Sequence, residues 1–168
     1  MAKKPAKSET LTLRLDPKTR FLLEYVSRLR GQTITTVFER AIQDTADAAT
    51  FVDPDSKKNC SWQNFWDIEE GIRVLSIARC KTLRPAYEEE KMVNFTEKFW
   101  PFFYKSPSFE HYHKNYISVL WKQIDKFIEE DEKNQDFWAA GREMAKALEA
   151  ANVVVPNWED MLQKGDAS

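Results

Sequence analysis

Thr10, Thr12 and Arg14 are the residues whose types and spacing carry the clearest chemical capacity in this chain. Two apart, they share one side of an extended segment, while Leu11, Leu13 and Leu15 share the other. Two hydroxyls and a guanidinium in a row make a surface that offers hydrogen bonds in fixed directions. The paired donors of Arg14 suit bidentate contact with a guanine edge. A threonine's hydroxyl and methyl suit less stringent contacts, thymine methyls included. Nothing comparable supports catalysis. The sequence holds no Gly-rich phosphate loop, no Ser or Cys nucleophile beside a base and no carboxylate pair at acid–base spacing, so no enzyme is expected. Glu110, His111 and His113 make the best case for a metal. On the helix expected there, residues two apart point to different faces and cannot jointly hold one ion, so neither a metal nor any other cofactor is expected.

The elements around the alternating segment follow from punctuation in the sequence. Asp16-Pro17 ends the strand and opens a helix, Asp as N-cap and Pro at the first helical position. From Pro17 to Arg30, Leu22, Tyr25, Val26 and Leu29 recur at spacings of three and four, a helical stripe. Gly31 follows the basic last turn, Arg28 and Arg30, and fits the left-handed residue that closes a helix. Thr33 caps a second helix with the stripe Ile34, Val37, Phe38, Ala41 and Ile42.

One strand of six or seven residues leaves unpaired backbone groups along both edges. The cheapest partner is the same strand of a second copy, antiparallel across a two-fold axis. The leucines then cover four helices, with a dimer core of Leu11, Leu13, Leu15, Leu22, Val26, Val37, Phe38 and Ile42. Thr10, Thr12 and Arg14 lie outward on a two-stranded ribbon, an element that fits the major groove of DNA. The other reading makes them the solvent face of an ordinary edge strand paired within one monomer to Val153-Val154-Val155, a run that Pro156 ends at once.

This stretch resembles a ribbon–helix–helix DNA-binding domain of the Arc/MetJ type, over roughly the first quarter to third of the chain. The resemblance implies that Thr10, Thr12 and Arg14 touch base edges. It also matches the family's turn, Gly-x-Ser/Thr-x-Ser/Thr, at Gly31, Thr33 and Thr35. It implies that the start of the second helix, at Thr33, Ile34 and Thr35, clamps a phosphate with backbone N–H groups, which free amides and the helix dipole favour. With one Arg and two Thr per strand, specificity per dimer is modest, so repeated sites or side-by-side dimers are expected to add affinity.

Charge is distributed unevenly. Residues 1–45 hold nine Lys/Arg against five Asp/Glu, and the remainder sixteen against twenty-two, within a net charge of −2. Only the front is suited to approach phosphates. Lys3, Lys4 and Lys7 belong to a basic terminus that reads either as an arm adding phosphate contacts or as a frayed solubilising end. Lys18, Arg20, Arg28, Arg30 and Arg40 read mostly as solvated helix faces. Cys60 and Cys80 are too far apart for a zinc or redox motif and are expected as buried thiols in a reducing cytoplasm. No apolar run is long enough for a membrane span.

The division expected is a DNA-binding domain at 1–47, a linker at 48–60 marked by Asp53-Pro54-Asp55, and a helical oligomerisation or partner domain at 61–168. All six tryptophans lie beyond residue 61. Ser61 is expected to cap a helix to about Lys81 interrupted by Gly71, and Pro85 to open another to about Phe99. Glu88, Glu89 and Glu90 make its solvated first turn, and Pro101 breaks it. Ser108 is expected to cap a long helix to about Glu130, Asp136 one to Asn152, and a short last helix spans Asn157 to Lys164. That is a mainly α fold, with four or five helices behind the ribbon–helix–helix front. The aromatic residues there read as core or protein interface before ligand pocket.

The function expected is that of a homodimeric, sequence-specific DNA-binding regulator of the cytoplasm, a repressor by default, with activation through the acidic aromatic domain left open. Its partners are double-stranded DNA, a second copy and a protein met by the C-terminal domain. The alternatives are an antitoxin whose C-terminal domain binds a toxin, an accessory DNA-binding protein of plasmid transfer or partition, and a helical adaptor that binds no DNA.

Overall fold

The computed structural model describes residue 10 and residues 12–54, 56–133 and 136–165. The chain divides into two units, 1–64 and 65–168.

In the first unit, α1 (Pro17–Arg30) begins on Asp16, whose Oδ1 accepts the N–H groups of Lys18 at 3.0 Å and Thr19 at 3.1 Å. It ends on Gly31, at φ 60° and ψ 34°, a conformation that costs glycine little because it has no Cβ. There the Gln32 N–H reaches back to the Ser27 carbonyl at 3.0 Å. α2 (Ile34–Ala48) starts on Thr33, whose hydroxyl accepts the Thr36 N–H at 3.1 Å. α1 and α2 pack against each other with Val37 buried, and Leu23, Val26 and Phe38 half-buried. Both caps and the turn stand where the sequence predicts them.

The expected strand is different. Residues 12–15 form no strand within the chain, and Leu11 lies outside the described residues. The sheet among the described residues is instead a hairpin inside the predicted linker. It pairs β1 (Phe51–Val52) antiparallel with β2 (Asn59–Cys60), Phe51 opposite Cys60 and Val52 opposite Asn59. Its turn is held by Asp53, whose Oδ2 takes the Ser56 N–H at 2.9 Å, and by Lys57 at φ 57°. The indole N–H of Trp62 donates to Asp47 Oδ1 at 2.7 Å, tying the segment after the hairpin to the end of α2. Val153–Val155 takes no strand pairing either; the Val153 N–H bonds the Leu148 carbonyl at 2.9 Å.

The second unit is helical and differs in its boundaries. Ser61 caps no long helix: Trp62–Asn64 is a 3₁₀ turn, and α3 runs only over Glu70–Ala78. Gly71 is therefore in the first turn of α3. It is required by closeness, since a Cβ there would overlap Ile117 and the ring of Trp121. α4 (Tyr87–Lys98) opens with Glu89 Oε2 accepting the Ala86 N–H at 2.8 Å, so one of the three glutamates has a specific partner. The helix breaks at Phe99, and Pro101 sits in the first turn of a new short one, α5 (Trp100–Phe103).

Ser108 starts no helix. An antiparallel bridge between Tyr104 and Tyr112 closes a loop that turns at Ser106–Phe109, and α6 begins at Lys114 and ends at Leu120. A 3₁₀ turn, Trp121–Gln123, separates it from α7 (Ile124–Lys133). α8 (Ala139–Ala150) and α9 (Trp158–Gly165) complete the unit. Divided this way, the described helices α3 to α9 outnumber the four or five expected.

Phe99, Phe102, Phe103, Tyr104, Ile117, Leu120, Met144 and Leu148 are all fully enclosed in one core. Trp158 lies tilted against Phe102, 5.4 Å between centroids, and fits against the bare Cα of Gly141. The phenol of Tyr104, hydrogen-bonded to Thr96 Oγ1 at 3.2 Å, has its pKa pushed up to about 12 by burial. Lys98 ties α4 to α7 by bonding both Asp131 oxygens, at 2.6 and 2.8 Å.

Candidate nucleic-acid interface

The side chains proposed from the sequence for base contact, Thr10, Thr12 and Arg14, are all exposed. They immediately precede the Asp16 cap, which holds the start of α1. The Thr19 hydroxyl donates to Asp16 Oδ2 at 2.5 Å and, with the N–H groups of Thr19 and Lys18, keeps the carboxylate below its usual range. That geometry fixes where the extended residues meet the helix.

At the other corner, Thr33 Oγ1 occupies the N–H of Thr36, and the Val37 N–H bonds the Thr33 carbonyl at 3.0 Å. Among the described residues, the backbone N–H groups of Ile34 and Thr35 make no hydrogen bond. Two free amides at the positive end of a helix of 15 residues form a surface suited to an anionic oxygen. The expected clamp thus has free donors at Ile34 and Thr35, while Thr33 serves as the cap itself. Gln32 Oε1 beside it is enclosed without a hydrogen-bond partner among the described residues. Lys3, Lys4 and Lys7, expected to add phosphate contacts, lie outside the described residues.

The residues expected in the dimer core divide three ways. Val37 is buried within the single chain, and Val26 and Phe38 are half-buried there. Leu13, Leu15, Leu22 and Ile42 are 50%, 43%, 48% and 56% exposed. Tyr25, Leu29, Ile34 and Ala41, expected in the apolar stripes of the two helices, are exposed as well; Phe21, which the sequence reading did not single out, stacks on Tyr25, 6.2 Å between centroids, and is itself exposed. The spacing of four that joins Phe21 to Tyr25 and Leu29 was the available signal. Of the basic residues on the helices, Arg20 pairs with Glu24 at 3.1 Å.

The metal candidates are placed differently from expectation. His111 and His113 are not on a helix but flank the Tyr104–Tyr112 bridge, so helical spacing does not bear on them. His113 stacks on Tyr116 and its imidazole pKa is lowered, by burial first and then by Lys105. Among the described residues no three His, Cys, Asp or Glu side chains are grouped to hold an ion. Cys60 and Cys80 are free and only half-buried, not enclosed as expected. Among the described residues no helix is long and apolar enough to cross a membrane.

Comparison with family models, with curated proteins and with solved structures finds no match for this chain.

Proposed function

We propose that this protein is a sequence-specific DNA-binding regulator that works as a homodimer. Two copies of residues 10–15 pair antiparallel into a ribbon that presents Thr10, Thr12 and Arg14 to the major groove. One observation carries this reading. Among its described residues the first unit has two well-capped helices but a single buried apolar side chain, Val37, while Leu13, Leu15, Leu22 and Ile42 lie open to solvent. A second copy supplies both the missing core and the missing strand partner.

The order of elements supports the same reading, since the free amides of Ile34 and Thr35 stand ready for a flanking phosphate. The second unit, with its own enclosed core, has the role of an assembly or partner domain. That packing favours a regulator over an antitoxin, whose neutralising tail would be short and disordered until bound.

The test is a selection from a random duplex pool by the full-length protein at two salt concentrations, with sedimentation of the free protein alongside. The expected result is a dimer that enriches a two-fold symmetric site and loses affinity as salt rises. A monomer, or a protein that enriches no sequence, would refute it.

A further inference from the structure

Two copies of residues 10–15 can be paired in more than one register, and the residues at the two ends of the ribbon decide between them. Residues that face each other in an antiparallel pair lie on the same side of the sheet. With Thr10, Thr12 and Arg14 outward and the leucines inward, even positions face even and odd positions face odd. The two-fold axis therefore passes through a residue and not between two. The candidates are Leu11, Thr12, Leu13 and Arg14.

An axis through Arg14 would set the two guanidinium groups directly opposite each other, a like-charge contact that destabilises a ribbon. It would also set Leu11 against Pro17. That position is closed to a strand: α1 begins at Pro17, which has no N–H to give, and the Asp16 carbonyl already accepts the Arg20 N–H at 3.0 Å. An axis through Thr12 would turn Glu9 inward against Leu15. One through Leu11 would set Glu9 against Leu13 and Lys7 against Leu15. Each turns a charged side chain into the leucine layer. An axis through Leu13 avoids all of these. Leu13 then faces Leu13, Leu15 faces Leu11, and the ribbon stops at Asp16, whose φ of −68° and ψ of 157° are still extended. Leu13 and Leu15, about half exposed in the single chain, would both be covered.

We propose that the two-fold axis of the ribbon passes through Leu13, which sets Arg14 of each copy directly opposite Thr12 of the partner subunit. The inference rests on the homodimer proposed above. Facing residues have Cβ atoms about 4.5–5.5 Å apart, whereas the two Arg14, on a diagonal, are about 7–8 Å apart. The guanidinium and the partner's hydroxyl and methyl thus form one reading pair, and each half-site is read by side chains from both copies. Neither copy alone holds a complete reader.

The test uses full-length protein with one cysteine introduced on the outward side, Thr12→Cys or Arg14→Cys, oxidised briefly and resolved without reductant. Wild-type protein, with Cys60 and Cys80 alone, is the blank. A disulfide needs Cβ atoms about 3.5–4.5 Å apart, which facing positions approach and diagonal ones do not. An equal mixture of the two variants is expected to cross-link at least tenfold faster than either variant by itself. Rapid linking of Thr12→Cys to itself would put the axis at Thr12, and of Arg14→Cys to itself at Arg14; either overturns the proposal while leaving the dimer. No linking in any arm, with a dimer on sedimentation, overturns it as well, since the strands then do not meet at these residues. A monomer on sedimentation removes the homodimer and the register with it. A heterodimer of Thr12→Ala and Arg14→Ala copies, isolated through two different tags, should select a site with one strong half and one lost half, because both intact side chains fall in the same pair. A site with two equally weakened halves would overturn the shared reading.

Discussion

The two units of this chain solve the burial problem in opposite ways. Residues 65–168 enclose their aromatic side chains around Phe99, Phe102, Phe103 and Tyr104, with glycines at 71 and 141 where rings come too close for a Cβ. The first unit encloses Val37 and leaves leucines, isoleucines and aromatic rings outside. Local order is equally good in both, since Asp16, Gly31 and Thr33 set the helix ends as firmly as anything in the second unit. Caps and turns specify where helices start and stop, whereas tertiary burial supplies most of their stability. A unit rich in the first and poor in the second is what supports the proposal that a second copy completes it.

The sharpest way to break that contrast is to remove one large side chain from the enclosed core. Phe102→Ala should cost about 3–5 kcal/mol of stability. The loss should be the same at every protein concentration, as read by chemical unfolding. If the loss depends on concentration, the second unit is not self-sufficient.

Leu13→Ser with Leu15→Ser should act through assembly instead. Burying a leucine fully is worth about 1.5–3 kcal/mol, and these are about half exposed already, so four per dimer should weaken association on the order of a hundredfold or more. Sedimentation across a dilution series measures it, and an unchanged dimer would place the interface elsewhere.

Arg14→Ala should leave assembly intact and reduce discrimination at one base pair per half-site by about 1–3 kcal/mol. The readout is the selected-site profile. Thr33→Ala, which removes the cap of α2, should cost about 1 kcal/mol in a thermal melt of the protein.

The smallest effect concerns pH. The Asp16 carboxylate is held below its usual range chiefly by the Thr19 hydroxyl, so its contribution is complete above the unfolded value and fades as pH falls through the lowered folded one. Wild-type protein should therefore lose stability relative to Asp16→Asn as pH drops from about 5 to about 2. Parallel melting curves would show that the cap does not titrate in this window.

Much of the first unit was legible residue by residue because its signals are local. Asp16-Pro17, Gly31 and Thr33 each act on their own few neighbours, and each stands where the sequence put it. The same logic failed at Ser61 and Ser108, both plausible caps. At Ser61 the chain makes one 3₁₀ turn and delays α3 to Glu70. At Ser108 the chain makes a turn, the Phe109 N–H bonding the Ser106 carbonyl at 3.1 Å, inside a loop closed by the bridge of Tyr104 with Tyr112, and no helix starts until Lys114. A cap residue is permission to start a helix; tertiary pairing decides whether it is used. The hairpin at 51–60 was missed for a related reason, since its strands are two residues long and show no alternation. Its signal was the turn, Asp53-Pro54 followed by Ser56 and Lys57, read only as a break. The proposed base-contact residues could be chosen from the sequence because alternation is visible in it. Periodicity puts Tyr25 and Leu29 in one stripe with Leu22 and Val26, but it does not tell which part of that stripe the chain itself covers.

The bond from the Trp62 indole to Asp47 has a practical consequence. Of the six tryptophans, Trp62 alone falls in residues 1–64, and its N–H is anchored at the end of α2. In a nitrogen-15 spectrum its indole resonance is thus a private channel for the front of the molecule, while the other indoles monitor the body. In the proposed dimer, dilution should move or extinguish that one peak first, reporting on the assembly of residues 1–64 without cutting the chain.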